Sequence, residues 1–169
     1  MPCSTASPTG PRIWVASETD VFTACRAARL FAERLGFSRV GAYQIATAAS
    51  ELAANMLLHA GCGTLLANAL AANMLGANPL AASDHSGDGL GIELIAVDRG
   101  PGIADLSLAL TDGFSTGQGL GCGLPGVKRL MDEFLIDSVP GLGTCVRTVK
   151  WLLPTPCRLE QAQDNHARR

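Results

Sequence analysis

A segment with a clear start and a clear stop, between Ser38 and Gly61, most limits what this chain can fold into. Serine is a frequent helix N-cap, and glycine is the residue that most often follows the last helical turn. Apolar side chains recur between these two residues at helical spacing, at Ile45, Ala49, Leu52 and Met56. The pattern predicts a long helix from about Ser38 to Ala60, with its apolar stripe buried against a second layer.

A different stripe of the same predicted helix is polar. Its members are spaced four residues apart and so share one face; they are Thr47, Glu51, Asn55 and His59. The amide oxygen of Asn55 suits Mg²⁺, which prefers oxygen ligands, and the carboxylate of Glu51 can orient or deprotonate a hydroxyl. His59 fits a supporting partner there and a surface histidine equally well. Taken alone, a solvated helix face explains this stripe better than a site does.

The remaining segments favour a layered α/β arrangement. They are a strand at 13–15, a helix opened by a capping box at Ser17 and closed at Gly36, a strand at 92–97, a helix at 124–131, and strands at 134–138 and 144–152. Helices and strands do not alternate as in βαβ units, so we predict a two-layer α/β sandwich: a mixed, largely antiparallel sheet covered on one face by helices. The domain is expected at 12–153, between a flexible N-terminus at 1–11 and a disordered tail at 154–169.

Composition and charge exclude several classes of function. The 169 residues suffice for one domain with a sizeable core, and 47% of them are hydrophobic. The formal net charge is -2, and no basic stripe points to nucleic acid. The first residues lack the charged and apolar regions of a signal peptide, and the longest apolar stretch, 64–75, is too short to span a bilayer. We therefore predict a cytoplasmic protein with neither a nucleic-acid nor a membrane partner.

Two glycine-containing segments have the composition of loops whose backbone lies close to a bound ligand. Residues 113–123 (GFSTGQGLGCG) precede a predicted helix, where backbone N–H groups can surround phosphates. The segment is neither a Walker A loop nor a Rossmann fingerprint. After the strand at 92–97 comes Asp98-Arg99-Gly100-Pro101-Gly102, where a carboxylate can accept a hydrogen bond from an exocyclic amine. Alone, each segment is read more simply as a turn.

In chain order, the motifs are E-x-x-x-N-x-x-x-H on a helix, D-x-G-x-G after a strand, G-x-G-x-G before a helix, and G-L-G-T in a hairpin. This order resembles the N, G1 and G2 boxes and the trailing G-x-G-T element of the GHKL superfamily, which has the Bergerat ATP-binding fold. The resemblance runs from about Ile13 to Trp151. At 112–134 and 138–151 the chain looks like RsbT-type serine/threonine kinases and, more distantly, like anti-sigma kinases.

The resemblance implies roles for individual residues. Glu51 would be the general base, and Asn55 would bind Mg²⁺ and the nucleotide. Asp98 would accept a hydrogen bond from the adenine amine. Gly100 and Gly102 would shape the adenine side of the pocket, and Thr144 would lie near it. A short lid over the phosphates would include Thr116, Gly117, Gly119, Leu120, Gly121 and Gly123.

The expected function is an ATP- and Mg²⁺-dependent protein serine/threonine kinase that acts on a STAS-domain antagonist or scaffold in a stressosome-like, partner-switching pathway. The family also implies activation of a PP2C-type phosphatase by binding. The main alternative is a binding module without kinase activity, in which ATP controls binding to a sigma factor, a STAS protein or a phosphatase. A detached histidine-kinase catalytic domain ranks third and a ligand-free α/β domain fourth; a homodimer is left open.

Two features depart from the family pattern. The region at 63–89 looks longer than in related kinases; it begins like a strand, is rich in alanine, and ends in loop-type residues. Cys122 lies within the glycine-rich segment. None of the six cysteines forms a CxxC pair, so we expect reduced, mostly buried thiols and assign Cys122 no redox role.

Overall fold

The computed structural model describes residues 9–71, 90–111 and 123–152. Its elements are β1 (Arg12–Val15), α1 (Glu18–Arg34), α2 (Arg39–Ala60), β2 (Gly63–Ala71), β3 (Leu90–Asp98), the single turn α3 (Leu106–Ala109), α4 (Gly123–Leu130), β4 (Glu133–Val139) and β5 (Gly143–Trp151). The expected N-terminal and C-terminal segments, and the larger part of the 63–89 region, lie outside the described residues. Residues 63–71 of that region form β2.

The two long helices begin and end where the sequence predicts. The hydroxyl of Ser17 accepts the N–H of Asp20 at the start of α1, and the hydroxyl of Ser38 accepts the N–H of Gly41 at the start of α2. Gly61 ends α2 in the left-handed conformation, with φ of 75°. These helix limits depend on short-range chemistry, which is why residue types alone were enough to predict them.

The five described strands form one sheet in the order β1-β2-β3-β5-β4, and all four neighbouring pairs are antiparallel. The register places Leu65, Ala96 and Val146 in one row across the sheet, and all three are buried. They pack with Ile45 and Leu52 of α2 in the hydrophobic core. The helices therefore cover one face of the sheet, and the predicted two-layer α/β architecture is confirmed.

Alanines allow the two long helices to lie close to each other and to the sheet. In α1 the buried positions include Ala24, Ala28 and Ala32, which recur at helical spacing. Because α2 lies over the middle strands, its C-terminal half ends above the point where β3 ends and β5 begins. Within the described ranges, no helix has the length and apolar character needed to cross a membrane.

Candidate functional site

A cavity of about 370 Å³ opens between the C-terminal half of α2 and the adjoining ends of β3 and β5. Much of its lining is apolar and includes Leu52, Met56, Ala96, Ile103, Leu124 and Val146. Asn55, His59, Asp98 and Thr144 add polar groups to this lining. An apolar cavity with a few converging polar groups is the usual form of a small-molecule site.

Asp98, the last residue of β3, is held by backbone donors. Its Oδ1 atom accepts the N–H of Gly100 at 2.9 Å and the N–H of Thr144 at 3.3 Å. Within the described part of the chain, no donor contacts the other carboxylate oxygen, Oδ2. The protein therefore fixes the orientation of this carboxylate while leaving one oxygen available to a ligand in the cavity.

The glycines of the loop after β3 are required by close backbone approaches. A Cβ atom on Gly100 would lie 2.6 Å from the Cβ of Ala60, at the end of α2. Gly102 has φ of 70°, and a Cβ there would collide with the carbonyl oxygen of Val139. The loop is thus closed against both α2 and the β4–β5 hairpin, and only glycine fits at these two positions.

Ser138 joins this loop to the hairpin and was not among the predicted site residues. Its hydroxyl accepts the N–H of Ile103 at 2.8 Å and lies 2.8 Å from the hydroxyl of Thr144. It also donates toward the carbonyl oxygen of Gly143 at 3.2 Å. The signal in the sequence was weak: a serine near the end of a strand becomes informative only once its pairing with Thr144 is known.

Glu51 and Asn55 lie one helical turn apart on α2, as predicted. Asn55 lines the cavity, and His59 lines it one turn further along. Glu51 is not part of that lining, but its Oε2 atom accepts the N–H of Gly123 at 3.2 Å. Because Gly123 does line the cavity, this hydrogen bond holds the Glu51 carboxylate at the cavity edge, beside the first residue of α4.

Asn55 is the residue of the cavity lining that the sequence predicts as a ligand of Mg²⁺. Among the described residues, no group of three or more His, Cys, Asp or Glu side chains is arranged to hold a metal. The amide oxygen of Asn55 is a suitable single ligand for Mg²⁺, which keeps several waters and otherwise takes phosphate oxygens.

The lid residues Thr116, Gly117, Gly119, Leu120 and Gly121, together with Cys122, lie outside the described residues. Of the other cysteines, Cys25 and Cys62 are free thiols. Burial raises the pKa of the Cys25 thiol, and the neighbouring Arg29 charge opposes this shift.

The chain matches the family described as the histidine kinase-like ATPase domain over residues 14–150. The serine/threonine-protein kinase RsbT of Bacillus subtilis (strain 168) is 44% identical over 138 residues, which make up 82% of this chain and 93% of that protein. The anti-sigma F factors of Thermoanaerobacter sp. (strain X514) and Thermoanaerobacter pseudethanolicus (strain ATCC 33223 / 39E) are each 37% identical over 70 residues, 40% of this chain and 48% of each relative.

These matches confirm the resemblance to RsbT-type kinases, and the name of the Bacillus relative agrees with the predicted enzyme class. The matched residues include α2, the loop after β3 and the hairpin, which together build the cavity. ATP is the ligand that such a domain implies. From its sequence match and its architecture, the chain belongs to the histidine kinase-like ATPase domain family.

Proposed function

We propose that this chain is an ATP-dependent protein serine/threonine kinase whose substrate is a Ser or Thr hydroxyl on a STAS-domain protein of a partner-switching pathway. The observation that carries the proposal is the position of Glu51. Its carboxylate lies one turn from Asn55 and is held at the cavity edge by the N–H of Gly123. A domain that only bound nucleotide would have no need of a carboxylate oriented in this way.

The cavity has the features that an adenine nucleotide requires. Asp98 offers an acceptor oxygen that is unpartnered among the described residues and suits an exocyclic amine. Apolar side chains such as Met56, Ile103 and Val146 provide contacts for a flat aromatic base. The backbone closes tightly at Gly100 and Gly102, which leaves this space free of side chains.

We assign the main roles in phosphoryl transfer to two residues of α2, Asn55 and Glu51. When bound, Mg-ATP supplies the phosphoryl group; Asn55 would provide an oxygen ligand to the metal. Glu51 accepts the proton of the attacking Ser or Thr hydroxyl and orients that hydroxyl toward the cavity. The hydrogen bond from Gly123 keeps one carboxylate oxygen occupied, so the other is the oxygen assigned to proton transfer. The lid residues 116–123 are assigned to the phosphates on the strength of the family pattern.

The test is a pair of measurements on the purified chain: calorimetric titration with Mg-ATP, and transfer from radiolabelled ATP to a STAS-domain protein. Glu51→Gln keeps an oxygen that can accept the Gly123 N–H but removes the base. We expect it to bind ATP like the wild type and to transfer phosphate about 10²- to 10⁴-fold more slowly. Asn55→Ala should lose Mg²⁺-dependent ATP affinity.

Thr47→Ala is the matched control, because Thr47 lies on the same stripe of α2 but is exposed and does not line the cavity. It should change neither measurement. If Glu51→Gln transferred phosphate at the wild-type rate, the assignment of the base would be wrong. If the wild type bound ATP and a STAS protein but transferred no phosphate, the chain would be a nucleotide-gated binding module instead. Activation of a PP2C-type phosphatase by Glu51→Gln would show a binding function separate from catalysis.

A further inference from the structure

We propose that an open groove between the first half of α2 and the end of α4 is the docking surface for the protein substrate, and that it takes a segment with carboxylates beside an apolar side chain. The inference rests on the proposed kinase function and adds to it the surface that recognises the substrate. The groove has a volume of about 380 Å³, and its lining shares no residue with that of the nucleotide cavity. It is lined by five residues of α2 and one of α4: Arg39, Val40, Tyr43, Gln44, Thr47 and Leu130.

The groove leads along both helices to the carboxylate proposed as the general base. Tyr43, Thr47 and Glu51 follow one another at intervals of four residues, so they lie along one face of α2. On α4, Gly123 donates to Glu51 at one end of the helix, and Leu130 lines the groove at the other. Tyr43 is two four-residue steps from Glu51, which is about 12 Å along a helix axis. A substrate segment in the groove therefore lies close enough to the base to place a Ser or Thr hydroxyl on it.

The apolar side chains of the groove are exposed, although α2 contributes many buried residues to the core. Val40 is 69% exposed and Tyr43 is 49% exposed. The guanidinium groups of Arg29 and Arg39 lie 5.7 and 5.8 Å from the centre of the Tyr43 ring, which is cation–π distance. These contacts restrict the ring before a partner arrives, and so lower the entropy cost of binding. Tyrosine and arginine are also among the side chains that contribute most to the energy of protein–protein interfaces.

The charges around the groove indicate the chemistry of the partner. Arg39 is the one charged residue in the first three turns of α2. The last turn of α4 adds Lys128 and Arg129, both of which are exposed. On α1, the carboxylate of Glu33 is paired with Arg29 at 2.6 Å. Together these side chains carry a net positive charge, although the formal charge of the whole chain is -2. A substrate segment with carboxylates is the complement of this surface.

The experiment measures KM and kcat for phosphate transfer to a STAS-domain protein, together with the calorimetric dissociation constant between that protein and the chain. Tyr43→Ala and Arg39→Glu should each raise KM and this dissociation constant about 10- to 30-fold. The values of kcat and of the Mg-ATP affinity should not change, because neither residue lines the nucleotide cavity. At about 1 M salt, where charges are screened beyond ~3 Å, binding by the wild type should weaken more than binding by Arg39→Glu.

The controls make the same changes elsewhere on the surface. Arg12→Glu and Trp14→Ala alter exposed residues of the edge strand β1 and should change none of these values. Thr47→Ala should also leave docking intact, because the Thr47 hydroxyl donates to the Tyr43 carbonyl oxygen at 2.9 Å within its own helix. Unchanged Mg-ATP affinity in every variant shows that the chain remains folded.

A charge exchange tests the acidic character of the partner segment. Each carboxylate of the STAS protein within about 12 Å of its phosphorylated residue is replaced by lysine in turn. One of these variants should bind Arg39→Glu more tightly than it binds the wild-type chain, because the two charges of the contact have then been exchanged.

Unchanged KM and dissociation constant in both Tyr43→Ala and Arg39→Glu would overturn the proposal, as would a fall in kcat alone. A change in the sedimentation mass of the chain with KM unchanged would instead assign the groove to contact between two copies of the chain. If the wild type bound the STAS protein through Tyr43 and Arg39 but transferred no phosphate, the docking surface would be supported and the proposed kinase function refuted.

Discussion

Two carboxylates of the same strand, Glu93 and Asp98 of β3, have opposite relations to the protein around them. Glu93 is 4% exposed, and its two oxygens accept hydrogen bonds from the side chains of Arg147 and Asn68. Asp98 has one oxygen held by backbone N–H groups and the other without a donor among the described residues. The more buried carboxylate is thus the one whose two oxygens both have partners within the protein. Burial alone therefore does not mark the acid that faces a ligand; an oxygen without a partner among the described residues, beside a cavity, is the better sign.

The two residues also face opposite sides of the sheet. Asp98 lies in the row with Gly63, on the helix-covered face, and lines the cavity. Glu93 is paired across the strands with Asn68 and Val149, on the face turned away from the helices. There Arg147 also approaches Glu133 at 3.8 Å, and Glu133 accepts the indole N–H of Trp151 at 2.9 Å. This second set is a network of partners within the protein, and we assign it to stability.

For this comparison the largest expected effect comes from Asp98→Asn, which tests whether the open oxygen of Asp98 binds the ligand. In Asp98→Asn the amide oxygen can still accept the two backbone N–H groups, so the fold should remain. The remaining group becomes an NH₂ donor, which opposes the amine of adenine. We expect Mg-ATP affinity to fall about 100-fold, since hydrogen bonds to charged groups contribute ~1.5–3 kcal/mol and a tenfold change in affinity is about 1.4 kcal/mol. Calorimetric titration measures this loss.

The matched measurement is the midpoint of urea denaturation of the same variant without nucleotide, which should stay near that of the wild type. A large fall in this midpoint would mean that Asp98 is a structural acid like Glu93. Wild-type ATP affinity in Asp98→Asn would remove Asp98 from the site.

The sequence predicted Asp98 but not the role of Glu93, because the motif that marks Asp98 lies near it in the chain and the partners of Glu93 lie far from it. Asp98 was found because its neighbours Gly100 and Gly102 belong to the same short motif. Helix α2 was predicted, with the positions of Glu51 and Asn55, for the same local reason: caps and periodicity lie within one segment.

The partners that were missed come from distant segments. Arg147 reaches Glu93 from another strand, and Ser138 reaches Ile103 from beyond α4. Such contacts are fixed by strand register, in which a shift of one residue would turn every side chain to the other face of the sheet. Single-sequence reasoning has no means of choosing that register, so it could predict the sheet but not the residues that support the site from behind.

Removing the partner of the buried acid should have the converse effect, on stability and not on binding. In Arg147→Met, Glu93 loses the guanidinium and keeps the hydrogen bond from Asn68, which is 2.9 Å long. Breaking a fully buried ion pair costs ~3–5 kcal/mol; because the Arg147 side chain is 27% exposed, we expect a loss of about 2 kcal/mol in the free energy of unfolding. Urea denaturation measures this loss, and Mg-ATP affinity should be unchanged.

The double variant Arg147→Met with Glu93→Gln provides the control, because it removes the charge that would otherwise be left without its partner. It should recover part of the lost stability. If Arg147→Met weakened ATP binding but left stability intact, the two carboxylates would not differ in the way their contacts indicate.

A third carboxylate, Asp20 of α1, extends the comparison to an acid that lies beside no cavity. The effect expected there, on its pKa, is the smallest of those predicted. Asp20 lies at the protein surface and lines neither the nucleotide cavity nor the groove beside α4. The hydroxyl of Ser17 and the N–H of Ala16 nevertheless donate to it and hold its pKa below its ordinary value. The folded state thus favours the ionised form, so the contribution of Asp20 to stability is complete above pH ~4 and is lost as pH falls through the lowered pKa.

Ser17→Ala should raise the pKa of Asp20 toward its ordinary value, and an NMR titration of the Asp20 carboxyl measures this change. Ser17→Thr keeps the hydroxyl and should leave the pKa lowered. An unchanged pKa in Ser17→Ala would mean that the hydroxyl contributes nothing to holding Asp20. The expected shift would show that hydrogen-bond donors can tune a carboxylate without burial or a cavity, so the assignment of Asp98 to a ligand site rests on its open oxygen and the cavity beside it.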